Sequence, residues 1–238
     1  MTFGQLRISF DDRVLRPRPW TLEQSQWAVE LSGTLPDGPV LELCAGVGHI
    51  GLALAAAVER DSVLVDADPH ACHLARANAE AAGLADRVEV RARAVDEALD
   101  PAERFALILA DPPWVRSGGT DAFPDDPLRA IDGGDDGLDV ARTCVRVIGA
   151  HLADGGAAIL QLGERAQVAS LAEEVAARVG LRVVEVRDPD ANGVLVLLAR
   201  MDGRMPQRRG VTVSGAPEDG TDVTLRTRGR SGSAERTS

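Results

Sequence analysis

The sequence predicts an α/β protein built on a doubly wound, mostly parallel seven-stranded sheet with an antiparallel hairpin at one edge. Three observations carry this. Short, near-continuous apolar runs recur at Val40 to Leu43, Val63 to Val65, Val88 to Val90, Phe105 to Ala110 and Ala157 to Leu162, as in strands buried on both faces of a parallel sheet. Helical patterns over Ile50 to Val58, Pro69 to Ala82, Leu138 to Leu152 and Ala166 to Val179 alternate with them, which is the signature of βαβ units. The last two strands, Leu181 to Val186 and Val194 to Ala199, are joined by Arg187-Asp188-Pro189-Asp190-Ala191-Asn192-Gly193 with no helix between. They should pair as the edge hairpin.

The flanking segments follow other signals. Leu6 to Phe10 and Val14 to Leu15 read as a short hairpin around Asp11-Asp12, followed by Pro17-Arg18-Pro19-Trp20-Thr21. Thr21 reads as an N-cap, with Gln24 three residues on completing a capping box for a helix over Leu22 to Ser32. Gly33 can end that helix, and Leu35-Pro36-Asp37-Gly38 then makes a turn. Beyond Arg200, Gly, Ser, Thr, Arg and Pro replace the apolar periodicity, which predicts a disordered tail. The expected organisation is a hairpin and helix over 1–35, the α/β domain over 36–200 and the tail over 201–238.

Composition limits the function classes. The 238 residues suit one α/β domain with a tail, large enough to form a core without disulfides or a structural metal. Three widely spaced cysteines (Cys44, Cys72, Cys144) form no C-x-x-C pair, which excludes a cysteine-zinc site and suits a reducing cytoplasm. The longest apolar run, Ile50 to Val58, is half a membrane span, and the N-terminus has no secretory h-region. The expectation is a soluble, cytoplasmic protein without a metal. The net charge is −11, and all 26 basic residues are arginine. The tail carries net +2, which leaves −13 on the body. An acidic body repels phosphate backbones, so nucleic acid is a disfavoured partner.

The first strand runs into Glu42-Leu43-Cys44-Ala45-Gly46-Val47-Gly48-His49-Ile50-Gly51. Glycines there let the backbone turn tightly against a ligand, and the next helix offers its N-terminus. Asp66 ends the second strand, where a carboxylate can take both ribose hydroxyls. Gly46-x-Gly48-x-x-Gly51 with Asp66 is also a literal dinucleotide fingerprint. Two features break the tie. Glu42 lies four residues before Gly46, as in the E/D-x-x-x-G-x-G loop of class I methyltransferases, and the fourth strand ends in Asp111-Pro112-Pro113-Trp114. A planar NH2 is a poor nucleophile because its lone pair is delocalised. Asp111 Oδ and the Pro112 carbonyl can only accept hydrogen bonds, so together they would hold such a nitrogen pyramidal. Trp114 supplies a flat wall for a planar acceptor. His70 and His73 share a helix face without a third ligand, His49 borders the glycine loop, and His151 ends a helix.

These motifs together resemble the HemK/PrmC family of glutamine methyltransferases over most of residues 13 to 200. Its Pro-Arg-Pro-x-Thr element is similar to Pro17 to Thr21, and its V-D-x-x-P-x-A helix to Val65 to Ala71 with Ala75 and Asn78-Ala79. Its Asn-Pro-Pro-Tyr is similar to Asp111 to Trp114, and its P-x-x-A-L-x-G-G-x-D-G-L to Pro127 to Leu138. Asp replaces Asn and Trp replaces Tyr in the tetrapeptide; Trp20 stands where the family carries an acid; the helical substrate-docking domain that precedes the catalytic domain in the family's release-factor enzymes is not seen before Pro39.

The resemblance implies a Rossmann-like class I methyltransferase fold and S-adenosyl-L-methionine as cofactor. It places that cofactor on Glu42, Cys44, Ala45, Gly46, Gly48, Ile50, Asp66 and Ala67, with Asp111, Pro112, Pro113 and Trp114 catalytic. Arg18, Thr21 and Asp96 are candidate contacts to cofactor or acceptor. The acceptor stays open between a protein glutamine, a small-molecule amide or amine, and an adenine N6 amine, since DPPY and DPPW variants also occur in adenine-N6 methyltransferases. Seven aspartates (121, 125, 126, 132, 135, 136, 139) against two arginines between Val115 and Asp139 should rim the acceptor pocket and disfavour a polynucleotide. A non-catalytic cofactor-binding scaffold and a nicotinamide enzyme are the other classes; the intact tetrapeptide opposes the first, Glu42 and the tetrapeptide the second.

Overall fold

A computed structural model describes residues 1–173, 178–188 and 193–202. The chain opens on a tight hairpin, β1 (Thr2–Phe3) and β2 (Leu6–Arg7), turning at Gly4 with φ +56°. This corrects the sequence expectation: the hairpin precedes Asp11-Asp12, and Val14 and Leu15 are not a strand. The Met1 ammonium donates to the Ile8 carbonyl at 2.7 Å and closes the turn. A 3-10 turn over Pro19–Thr21 then leads into α1 (Leu22–Ser32), with the predicted bounds.

The capping box does not form. Thr21 is itself helical, and its hydroxyl donates to the Arg18 carbonyl at 2.8 Å. Gln24 is buried and its Nε2 donates to the carbonyls of Ala110 (3.1 Å) and Ile159 (2.9 Å). Two sheet carbonyls, one at the end of the strand Phe105–Ala110 and one within the strand Leu152–Leu162, outcompete a helix cap that the preceding 3-10 turn already satisfies.

The predicted alternation follows: β3 (Val40–Leu43), α2 (His49–Ala57), β4 (Ser62–Asp66), α3 (Pro69–Ala81), β5 (Val88–Ala92), β6 (Phe105–Ala110), α4 (Leu128–Ile131), α5 (Asp139–His151), β7 (Leu152–Leu162), α6 (Arg165–Leu171), β8 (Leu181–Arg187) and β9 (Val194–Arg200). β7 starts at Leu152, five residues before the predicted run, so α5 passes directly into it. Part of the helix predicted to Val179, the middle of the β8–β9 connection and the tail from residue 203 lie outside the described residues.

The sheet order is β5-β4-β3-β6-β7-β9-β8; β9 runs antiparallel to both neighbours and the rest are parallel. The β8–β9 hairpin therefore sits at the edge, as predicted. Side chains alternate across the sheet, so Leu41, Leu43, Ile108 and Ala110 pack with Cys144, Val145 and Ile148 of α5 on one face. Val40, Leu107, Leu109 and Ile159 pack with Trp27, Ala28 and α2 on the other. Phe3, Ile8 and Val14 of the N-terminal segment belong to that second core cluster. The chain order reverses between β3 and β6, where crossovers diverge and leave a crevice at the strand C-termini. Leu43 pairs with Ala110 there, which brings Cys44 and Asp111 side by side.

Candidate active site

The glycine loop leaves β3 through backbone that only small or glycine residues adopt readily. Cys44, Gly46 and Gly48 have φ of +58°, +54° and +79°. A Cβ at Gly48 would also stand 2.9 Å from Leu64 Cδ2. Glu42 is buried beneath the loop, where Gly51 N–H donates to its Oε2 at 3.0 Å. A Cβ at Gly51 would approach that oxygen to 2.2 Å, so the third glycine is needed for the carboxylate to reach the helix N-terminus. Glu42 Oε1 is buried with no partner among the described residues. At the end of β4, Asp66 accepts Gly46 N–H at 2.7 Å and Asp68 N–H at 2.8 Å. Ala67 is exposed beside it, whereas Ala45 and Ile50 are 2% exposed, so these two contribute backbone and core rather than an open side chain.

Electrostatics follow from burying three carboxyls together. Burial pushes Glu42 well above the usual range and Asp111 and Asp66 push it further, against the opposing Gly51 N–H. Burial raises Asp66, opposed by the Gly46 N–H and the Arg129 guanidinium. Burial lifts Asp111 to about 7. The crevice thus holds carboxyls whose ionised forms burial disfavours, and a cation placed there would favour them. Cys44 Sγ lies 3.9 Å from Cys144 Sγ, and this contact, with burial, raises the Cys44 thiol.

Beside the loop, a cavity of about 210 Å³ opens over the tetrapeptide Asp111-Pro112-Pro113-Trp114 at the end of β6. Asp111, Pro112, Pro113 and Trp114 form its floor; Arg18, Trp20 and Thr21 come from the N-terminal segment; Val115, Phe123, Asp126, Ala130 and Ile131 come from the loop after β6. Leu15 and Gln161 complete it. Trp114 is seated by two glycines: a Cβ at Gly163 would be 2.5 Å from Trp114 Cε3, and one at Gly137 would be 2.4 Å from the Trp114 carbonyl. Gln167 Nε2 donates to the same carbonyl at 3.0 Å.

The loop has a stapled neck. Val115 N–H donates to Ile131 O at 3.0 Å, Gly133 N–H to Val115 O at 2.8 Å, and Ser117 Oγ to Asp132 Oδ1 at 2.7 Å. Its tip reaches across the crevice through two ion pairs, Arg18–Asp126 and Arg129–Asp68.

The structure therefore groups Glu42, Cys44, Gly46, Gly48 and Asp66 in one crevice, and the tetrapeptide with Arg18 and Thr21 in the adjoining cavity. Asp96 is exposed on the connection after β5 and does not line the cavity. His49 is a half-buried packing residue: its ring meets Phe3 edge-on at 4.9 Å, Nε2 is 3.2 Å from Thr21 Oγ1, and desolvation lowers it to about 4. His70 pairs with Asp11 at 2.9 Å. Gln24, Phe123 and Gln161 were not anticipated. A lone amide in the apolar run Ala157 to Leu162 was the available sign for Gln161, Gln24 was marked only as part of a capping box, and nothing local marked Phe123. Among the described residues, no cluster of His, Cys, Asp or Glu is arranged to hold a metal, and no helix is long and apolar enough to cross a membrane.

Comparison with known proteins agrees with this geometry. A methyltransferase small domain matches residues 27–123. The release factor glutamine methyltransferase of Deinococcus radiodurans is 35% identical over 196 residues, 80% of this chain and 68% of that protein. The ribosomal protein uL3 glutamine methyltransferase of Burkholderia pseudomallei is 32% identical over 176 residues, 68% of this chain and 57% of that protein. The chain thus spans between about half and two thirds of the length of such relatives. In fold it is similar to the hMettl16 catalytic domain solved with MAT2A 3′UTR hairpin 1, with TM-score 0.66 at 17% identity, covering 84% of this chain and 77% of the other. From its glycine loop, the tetrapeptide that follows β6 and its identity to these relatives, the chain belongs to the HemK/PrmC family of glutamine methyltransferases.

Proposed function

We propose that the protein is an S-adenosylmethionine-dependent N-methyltransferase whose acceptor is a glutamine side-chain amide of a protein. The observation that carries this is the adjacency of a three-carboxylate crevice and a mostly apolar cavity floored by Asp111-Pro112-Pro113-Trp114. S-adenosylmethionine would supply a methyl group on a positively charged sulfonium. The crevice fits that charge: Asp66 and Asp111 both raise Glu42, and Glu42 Oε1 is a buried acceptor without a donor among the described residues. Asp66 keeps spare lone pairs for ribose hydroxyls beyond its two backbone donors.

The same geometry opposes a dinucleotide. The helix N-terminal N–H that would receive a pyrophosphate is taken by the Glu42 carboxylate. In the cavity, Asp111 Oδ and the Pro112 carbonyl would accept both hydrogens of an amide NH2, and Trp114 would pack on its plane. The acceptor's nitrogen would thereby present its lone pair instead of delocalising it. Relatives named for release factors and uL3 support a protein acceptor.

The test is direct. The enzyme is incubated with S-adenosylmethionine and recombinant release factors or uL3 from the same organism, followed by peptide mass spectrometry. A methyl group mapped to one glutamine is the expected outcome; methylation of neither protein sinks the assignment. Calorimetry should show S-adenosylhomocysteine binding and no NAD binding.

A further inference from the structure

Among the described residues, three large apolar side chains are strongly exposed: Phe123 (40%), Leu128 (58%) and Met201 (58%). Two of the three lie within six residues of each other, on the loop that roofs the cavity. Phe123 lines the cavity itself and Leu128 faces outward at the start of α4. Exposed apolar residues scattered singly need no explanation, but a pair at the mouth of a reaction cavity does.

The loop is built to present them. Its neck is tied by three hydrogen bonds, and its tip is pinned on both sides by Arg18–Asp126 and Arg129–Asp68. A platform held at both ends loses little freedom when a partner docks. Its charge selects the partner. Asp121 and Asp125 flank Phe123, are exposed, and make no ion pair among the described residues. Asp126 is already neutralised by Arg18. The rim is therefore apolar at its centre and negative at its edge.

We infer that the Phe123–Leu128 rim docks the polypeptide flanking the target glutamine, and that this segment carries an apolar side chain and basic residues beside it. The inference rests on the proposed glutamine N-methyltransferase function and says how a protein acceptor is distinguished from a free amide. An apolar anchor sets the dwell time of the complex, and the exposed aspartates steer a basic segment toward the cavity.

The experiment compares two acceptors: the recombinant protein that is methylated, and N-acetylglutamine methylamide, which fills the cavity alone. Leu128→Ser should raise KM for the protein acceptor on the order of tenfold with kcat unchanged. Asp121→Asn with Asp125→Asn should lower kcat/KM for the protein about threefold at low salt, and the difference should vanish at high salt. Neither set should change turnover of the blocked glutamine, because none of these side chains lines the cavity. Variants that match the wild type on the protein acceptor overturn the docking surface. So does a wild type that turns over the blocked glutamine as efficiently as the protein. Faster methylation by Asp121→Arg with Asp125→Arg overturns the basic partner while leaving the glutamine chemistry intact. A wild type that methylates neither acceptor removes the underlying function, and the rim falls with it.

Discussion

Asp111 is where one side chain sets the pH response. Its folded carboxyl is lifted from 3.8 to about 7 by burial, while the proposed chemistry needs an oxygen free to accept. kcat/KM should therefore rise with pH through about 7 and then level, and Asp111→Asn should lose that limb while retaining turnover. Asp111→Ala should lose about 10²–10³-fold. Because the folded value is raised, the associated stability is present below about 4 and is lost as pH climbs through 7. Thermal unfolding of the ligand-free protein should show this decline, reduced in Asp111→Asn. Asp66→Ala should weaken S-adenosylhomocysteine binding about tenfold or more in calorimetry, since charged hydrogen bonds contribute roughly 1.5–3 kcal/mol each. Asp66, Glu42 and the tetrapeptide could be singled out in the sequence because each has a fixed place at or near a strand end. Thr21 and Gln24 were misread for physical reasons: the 3-10 turn before the helix offers Thr21 the nearby Arg18 carbonyl, and Gln24 is drawn to carbonyls of Ala110 and Ile159 far along the chain, which sequence spacing does not reveal.

At the scale of elements, the parallel strands were plain, since burial on both faces leaves a continuous apolar run. The N-terminal hairpin was misplaced because two-residue strands show no period, and its turn is set by Gly4 rather than by the adjacent Asp11-Asp12. The β3–α2 junction depends on a carboxylate under a helix. Gly51→Ala would drive a methyl into Glu42 Oε2, so it should destabilise the fold by about 1–3 kcal/mol in denaturant titrations, as overpacking does. Gly46→Ala meets no atom within 4 Å, and only its φ of +54° opposes it. Its cost should be smaller, about 1–2 kcal/mol. Equal losses in the two variants would show that the Glu42 seat does not matter. The rim loop was visible only as a run of aspartates; its stapled neck needed the contacts of Val115 with Ile131 and Gly133.

Over the whole molecule, the alternation of runs and helices was enough for a doubly wound, mostly parallel sheet with an antiparallel edge hairpin, because crossovers between parallel strands leave few arrangements; the strand order itself came from the structure. What the alternation could not supply was the way residues 1–35 join the core, since Trp27, Ile8 and Phe3 meet partners far along the chain. The placement of the tryptophans has a practical consequence. The chain has no tyrosine and three tryptophans, so they dominate its near-ultraviolet fluorescence. Trp20 and Trp114 face the acceptor cavity, while Trp27 is 1% exposed beneath the Arg187 guanidinium at 4.0 Å. Two emitters report on the cavity and the third serves as an internal reference. Adding N-acetylglutamine methylamide to the S-adenosylhomocysteine complex should change the emission, and Trp20→Phe should shrink that change without abolishing it. The enzyme would then carry its own optical read-out of acceptor binding, and titrations could be run without a label.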